Sequence, residues 1–139
     1  MTVLPDLLWV SPGDGDDAWV GRAGGPDGKR AFGGLFMAQS LSAASQTVNP
    51  DMRPTAMHLQ YLRGGEAGAA TDYTVARVYN GRTAASRRVE AFQDGRLLTV
   101  ATVSYSVDLP GPEHDESCTL PDDPDQLPLT GPPGPAPAV

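Results

Sequence analysis

Basic residues, cysteine and long apolar runs are all scarce in this chain of 139 residues, and each shortage removes a class of function. Ten Lys and Arg face 17 Asp and Glu, for a formal net charge of −7. Affinity for a polyphosphate comes mainly from basic side chains that displace its counterions, so DNA, RNA and anionic membrane surfaces are not expected partners. Cys118 is the only cysteine. An intrachain disulfide needs two, which fits a reducing compartment, and in its polar segment Cys118 reads as a bystander. No stretch approaches the roughly 20 apolar residues of a membrane helix. The opening MTVLPDLLWVSPGDGDD has no basic region followed by an apolar run, so it does not read as a signal peptide. A soluble, cytoplasmic protein is the expectation.

What is present is unevenly distributed. After Leu109 the segment PGPEHDESCTLPDDPDQLPLTGPPGPAPAV holds nine of the 14 prolines and no Lys or Arg. Proline lacks the backbone donor that a helix interior or inner strand needs, so residues 110–139 read as a disordered or semi-extended acidic linker. Glu113, Asp115, Glu116, Asp122, Asp123 and Asp125 lie there. Residues 1–109 keep all ten basic residues against eleven acids, a net charge of −1, and form one domain of a size that can bury a modest core.

Within that domain the pattern is strands around a helix. Phe36, Met37, Leu41, Ala44 and Val48 recur at spacings near three and four, which predicts a helix over residues 36–47. Gly33 and Gly34 precede it and Asn49-Pro50 stops it. Strands are predicted over 54–62, 71–79, 84–93 and 97–107, with weaker candidates at 7–10 and 18–22. Tyr73, Val75 and Tyr79 share a face in the second of the main strands, with Arg77 among them. Asn80-Gly81 and Asp94-Gly95 are the dipeptides of tight primed turns, so the last three strands are expected to form an antiparallel meander. The order gives an α+β domain with its helix packed on a curved sheet. The helix is rich in small residues (Ala38, Ser40, Ser42, Ala43, Ala44, Ser45), which let a sheet wrap closely around it, as in a hotdog fold.

Three stretches then stop being generic: FGGLFMAQSLSAASQTV (residues 32–48), HLQYLRGGE (58–66) and NGRTAASRRVEAFQDGRLL (80–98). In order and spacing they resemble the N-terminal half of the acyl-CoA thioesterase II family, whose stretches read approximately FGG-x-x-x-x-QAL, H-x-x-FLRPGD and DG-x-S-F-x-x-RRV before a Gln-Asp/Asn-Gly turn. The resemblance runs from about Phe32 to Tyr105. It implies a single hotdog fold and acyl-thioester hydrolysis, with coenzyme A as part of the substrate rather than a cofactor. It also implies pairing, because in that family two hotdog units lie side by side and sites form between them. The family's catalytic Asp, Thr or Ser, and Gln belong to its second unit and have no counterpart here. The tail resembles the linker that leads to that unit.

Thioester hydrolysis needs donors at the carbonyl oxygen and a group that holds and deprotonates a water. A helix N-terminus supplies the donors, and Gly33 and Gly34 allow a ligand close to the backbone. Gln39, within the helix, could orient a water but has no usable pKa. His58 titrates near neutrality and matches a histidine of the family's first half, which makes it the candidate base. Asp51 is a more distant carboxylate candidate. Gly34, Gln39 and His58 are thus the candidate catalytic set. Arg87 and Arg88 are adjacent on a strand and point to opposite faces. Arg88, Arg63, Arg82 and Gly33 are the candidate substrate-binding residues, the arginines for a phosphate or carboxylate of a CoA-like ligand. His58 and His114 are far apart and no Cys/His spacing suits zinc, so no metal is expected. The chain contains neither a Gly-Lys-Ser/Thr phosphate loop nor a Gly-x-Ser-x-Gly elbow, which leaves water as the nucleophile.

The expected assembly is a homodimer, or a heterodimer with another hotdog chain, because one hotdog leaves sheet and helix surface uncovered. The expected substrate is an acyl thioester of CoA or of a carrier protein. Two other readings use the same fold: a non-catalytic acyl-binding or scaffolding subunit, and a dehydratase or hydratase.

Overall fold

Asp94 and Gly95 both take positive φ, 48° and 71°, the conformation of a two-residue primed turn, and they join two long antiparallel strands as their sequence demands. The computed structural model describes residues 4–22 and 24–116. Cys118 and most of the Pro-rich tail lie outside them. Two units are distinguished, Met1–Leu109 and Pro110–Val139. In the second, the described residues 110–116 form no helix or strand, and His114 pairs with Glu116 at 3.3 Å.

The first unit runs α1 (Leu4–Leu8), β1 (Ser11–Pro12), β2 (Ala18–Arg22), α2 (Gly33–Ser45), β3 (Arg53–Tyr61), β4 (Ala70–Asn80), β5 (Ala84–Gln93) and β6 (Arg96–Ser106). One six-stranded sheet has the order β1-β2-β4-β5-β6-β3, antiparallel throughout. The meander β4-β5-β6 is present. β3 pairs with β6 alone and forms an edge of the sheet. No helix among the described residues is long and apolar enough to cross a membrane.

Three local expectations are corrected. Residues 7–10 do not form a strand: α1 occupies 4–8, with Pro5 in its first turn, where a missing N–H costs nothing, and with Asp6 beside the positive helix end. Asn80-Gly81 does not form a primed turn. The β4–β5 link is the three-residue loop 81–83, closed by the Gly81 N–H donating to Ala84 O at 2.8 Å, while the Asn80 side chain is taken by Arg87. Finally, Gly33 and Gly34 do not precede the helix but make its first turn, and its buried face is turned from the expected one. Leu35, Phe36, Gln39, Ser40, Ala43 and Ala44 are buried, whereas Met37 is 43% exposed.

The reason for that rotation is size. Ser40, Ala43 and Ala44 let β2 through β6 close around α2, where larger side chains would hold the strands away. The core that results is built from Tyr73, Val75, Val89, Ala91, Ala101, Val103 and Tyr105 on the sheet's inner face. Burial alternates along β5, with Ala85, Arg87, Val89, Ala91 and Gln93 inward. Tyr79 leaves the face it was expected to share with Tyr73 and Val75, because the register shifts between Arg77 and Tyr79.

Candidate active site

Helix α2 begins without a cap. Its N-cap residue, Phe32, is extended (φ −69°, ψ 123°), has no side-chain acceptor, and is followed by no acid in the first turn. The Leu35 N–H donates back to Phe32 O at 3.1 Å. The N–H groups of Gly33 and Gly34 have no intrahelical partner by geometry and none among the described residues, so the positive end of the helix dipole is left unneutralised.

This end opens into a cleft of about 410 Å³ whose rim carries Arg30, Phe32, Tyr61 and Arg63. Two short segments are fastened to make it. Ala31 N–H donates to Gly65 O at 2.9 Å and Ala67 N–H to Lys29 O at 2.7 Å, which locks residues 29–31 against 65–67. The buried Gln93 amide then ties that loop to the sheet: its Oε1 accepts from Glu66 N–H at 2.8 Å, and its Nε2 donates to Glu66 O at 3.1 Å and Thr71 Oγ1 at 3.0 Å. Gly65 cannot carry a side chain, because a Cβ there would run into the Phe36 ring, Leu98 and the Gln93 amide. Tyr61 donates to Gly33 O at 2.8 Å and Arg63 Nη1 to Leu97 O at 2.9 Å, which fixes the other wall.

The chemistry available follows from that inventory. Two backbone donors and a helix dipole can stabilise an oxyanion, and Arg30 and Arg63 can face an anion. Among the described residues lining the cleft there is no carboxylate or imidazole, so it holds no general base.

Of the residues singled out from sequence, Gly33, Gly34 and Arg63 come together here. Gln39 does not reach the cleft. It is fully buried, its Nε2 donating to Leu7 O at 2.6 Å and Arg22 O at 3.1 Å and its Oε1 accepting from Tyr73 OH at 2.7 Å. It ties α2 to α1, β2 and β4, and Gly21 must be glycine-sized because a Cβ would overlap that amide. Burial raises the Tyr73 phenol well above its ordinary pKa, so it is a standing donor to Gln39.

His58 and Arg88 lie on the other side of the sheet. His58 is in register with Thr102, and Thr102 with Arg88; all three are exposed, on the face turned from α2, and Arg88 pairs with Glu90 at 2.8 Å. Arg82, in the β4–β5 loop, and Asp51, past the helix end, stand toward the C-terminal end of α2 rather than at the cleft. Of the adjacent pair Arg87 and Arg88, Arg87 is the buried one. Arg30, Phe32 and Tyr61 were not singled out. Tyr61, three residues from His58, takes the opposite face of β3, so placing His58 at the site turned Tyr61 away from it, and nothing local marks Arg30.

Among the described residues no group of three His, Cys, Asp or Glu could hold a metal ion. A family model for the acyl-CoA thioesterase N-terminal domain matches residues 22–106. Human acyl-coenzyme A thioesterase 8 is 29% identical over 126 residues, 90% of this chain and 39% of that protein. The peroxisomal acyl-coenzyme A thioester hydrolase 1 of Saccharomyces cerevisiae is 32% identical over 87 residues, 63% of this chain and 25% of that one. The crystal structure of acyl-CoA thioesterase II TesB2 from Mycobacterium marinum superposes with a TM-score of 0.78 at 28% identity, over 91% of this chain and 47% of that chain. The chain therefore spans less than half the length of each of these relatives, and the six-stranded sheet matches the hotdog-like thioesterase structures. Because the matched span holds all of α2 and the four long strands, the family follows: the chain belongs to the acyl-CoA thioesterase N-terminal domain family.

Proposed function

We propose that this chain is one hotdog unit of an acyl-CoA thioesterase and that the α2 N-terminus is its oxyanion site. The observation that supports this most is the uncapped first turn at Gly33 and Gly34, open to a cleft with Arg30 and Arg63 at its rim. In the reaction, a water attacks the thioester carbonyl carbon while the two glycine N–H groups hold the oxygen, on which negative charge builds. The C–S bond then breaks, and the thiolate leaves and takes a proton. The arginines attract the negatively charged portion of the coenzyme or of a carrier-bound group, which is part of the substrate and not a resident cofactor.

In this reading, because no carboxylate or imidazole lines the cleft among the described residues, a group on a second hotdog unit, identical or different, takes the proton from the water. The free edge of β3 suits that partner: its outer hydrogen-bonding row has no neighbour among the described residues, and a second strand would extend the sheet. The same observation favours a second reading, in which this unit binds the acyl thioester and hydrolysis occurs only at the partner's residues.

The experiment is a panel of acyl-CoA thioesters assayed with the purified chain alone and with a second hotdog protein added, while light scattering follows association. Turnover that needs paired units and falls with Arg63→Ala supports the proposal. Turnover by a stable monomer would contradict the pairing, and binding without turnover in every combination would favour the acyl-binding reading.

A further inference from the structure

Tyr61 ends β3 and is held on both sides. It pairs with Thr99 of β6, and the next two N–H groups, of Leu62 and Arg63, both donate to Leu98 O, at 2.8 and 3.1 Å. From this fixed base the side chain packs against the first residue of α2: a Cβ on Gly33 would lie 3.1 to 3.2 Å from its ring and hydroxyl. Glycine at this position lets the hydroxyl reach the backbone, where it donates to Gly33 O at 2.8 Å. That carbonyl already accepts from Met37 N–H by helical pairing, so the fold does not need a second donor to satisfy it. Tyr61 is also 51% exposed, and a bond that merely replaces one to water adds little stability.

The use of the extra bond lies at the other end of the same peptide group, because Gly33 C=O and Gly34 N–H share one planar amide. A donor on the oxygen draws electron density toward it and leaves the N–H more positive, the cooperative strengthening of linked hydrogen bonds. Gly33 N–H belongs to the preceding peptide, whose oxygen, Phe32 O, is bonded by Leu35 N–H instead. The hydroxyl therefore acts on one of the two glycine donors of the cleft and not directly on the other.

We infer that Tyr61 is a positioning residue for the oxyanion site, its hydroxyl polarising the Gly33–Gly34 peptide so that Gly34 N–H binds the charged oxygen more strongly. The inference rests on the proposed oxyanion role of Gly33 and Gly34. A more positive N–H favours the tetrahedral intermediate over the neutral thioester, because the charge on the oxygen is what it meets. Loss of a whole oxyanion donor costs about 10²- to 10³-fold, and a strengthening of ~10–30% takes that share of the exponent, about two- to eightfold.

The test compares wild type with Tyr61→Phe, which keeps the ring and its ring-current shifts, and with 3-fluorotyrosine placed at position 61, a stronger donor. In the full chain without ligand, the Gly34 amide proton should move upfield in Tyr61→Phe and downfield with the fluorinated residue, and Gly33 should move less. Two hydrolysis-resistant ligands are then titrated. S-(2-oxopropyl)-CoA is an inert neutral ketone, and S-(3,3,3-trifluoro-2-oxopropyl)-CoA hydrates to an acidic diol that resembles the tetrahedral intermediate. Tyr61→Phe should weaken the fluorinated ligand about two- to eightfold and leave the plain ketone within about twofold, with fluorotyrosine shifting the fluorinated ligand the other way. Equal weakening of both ligands would overturn the inference, since the hydroxyl would then only shape the wall. A Gly34 resonance indifferent to the hydroxyl would overturn it too, and would leave the oxyanion site standing if the fluorinated ligand still moves Gly33 and Gly34. A Gly34 resonance that follows the hydroxyl, while neither ligand moves either glycine, would instead overturn the oxyanion site and the role inferred for Tyr61 with it. The fluorotyrosine protein decides even if Tyr61→Phe does not fold.

Discussion

The two ends of helix α2 are finished in opposite ways. At the N-terminal end, nothing caps Gly33 and Gly34, no acid faces the dipole, and the neighbouring arginines stay exposed. At the C-terminal end, Arg87 is 1% exposed and makes five hydrogen bonds: to Thr47 Oγ1 at 2.7 Å and Thr47 O at 2.8 Å, to Tyr79 O at 2.8 Å, Ser86 O at 2.9 Å and Asn80 Oδ1 at 2.6 Å. All five acceptors are neutral, so the cation is held by dipoles, including that of the helix itself. Burial pulls its pKa below the ordinary value, and Arg77 nearby pulls in the same direction. One end spends its polar groups on the fold; the other leaves them for a ligand.

Arg87→Leu should cost most, on the order of 3–5 kcal/mol, because it leaves several buried acceptors unpaired. Urea unfolding would read it, and Arg87→Lys should recover less than half, since an ammonium cannot reproduce the planar fork. An Arg87→Leu protein as stable as wild type would mean the C-terminal end is not the anchored one.

Gln39→Leu should cost about 2–4 kcal/mol by stranding Leu7 O, Arg22 O and the Tyr73 hydroxyl. Acyl-thioester binding per folded molecule should be unchanged. Lost binding at full stability would instead make Gln39 part of the site.

The same network gives a pH dependence. Tyr73 has its pKa raised by burial, so the folded protein keeps a proton that the unfolded chain releases near pH 10. Its contribution is complete below that pH and is lost as pH rises, at about 1.4 kcal/mol per pH unit. Tyr73→Phe should reduce the alkaline slope in denaturant titrations and leave the share of Tyr105, whose pKa burial also raises.

The smallest stability change has the opposite sign. Phe32→Asp would cap α2, and should add about 0.5–1 kcal/mol. It should also weaken acyl-thioester binding about tenfold by occupying the glycine N–H groups. A variant gaining both stability and affinity would show that the open end is merely unfinished.

Much of this architecture was legible from sequence, and the exceptions have physical causes. β2 and β5 fall on their expected residues and β3, β4 and β6 within a residue of theirs, whereas the two-residue β1 follows a helix in place of the strand expected over 7–10. Asp94-Gly95 takes the positive φ its turn requires, whereas Asn80 stays in β4, takes no positive φ and gives its side-chain oxygen to Arg87, seven positions away. The buried face of α2 was missed because hydrophobicity favours Met37 and Leu41, while a tightly wrapped sheet selects for small side chains and for a satisfied Gln39. Adjacent arginines on a strand were known to point apart, but which of them faced inward depended on register with β4 and β6. At the cleft, motif and glycines located the helix end, while Arg30 comes in through the pairing of residues 29–31 with 65–67, which no short window contains.

The central claim is that the open end of α2 receives the thioester oxygen. Amide NMR on the glycines tests it most directly, with the inert CoA ketone as titrant. The Gly33 and Gly34 resonances should shift and saturate together, while Gly15 and Gly81, in loops toward the other end of α2, stay in place. Saturable binding that leaves Gly33 and Gly34 unmoved would contradict the account.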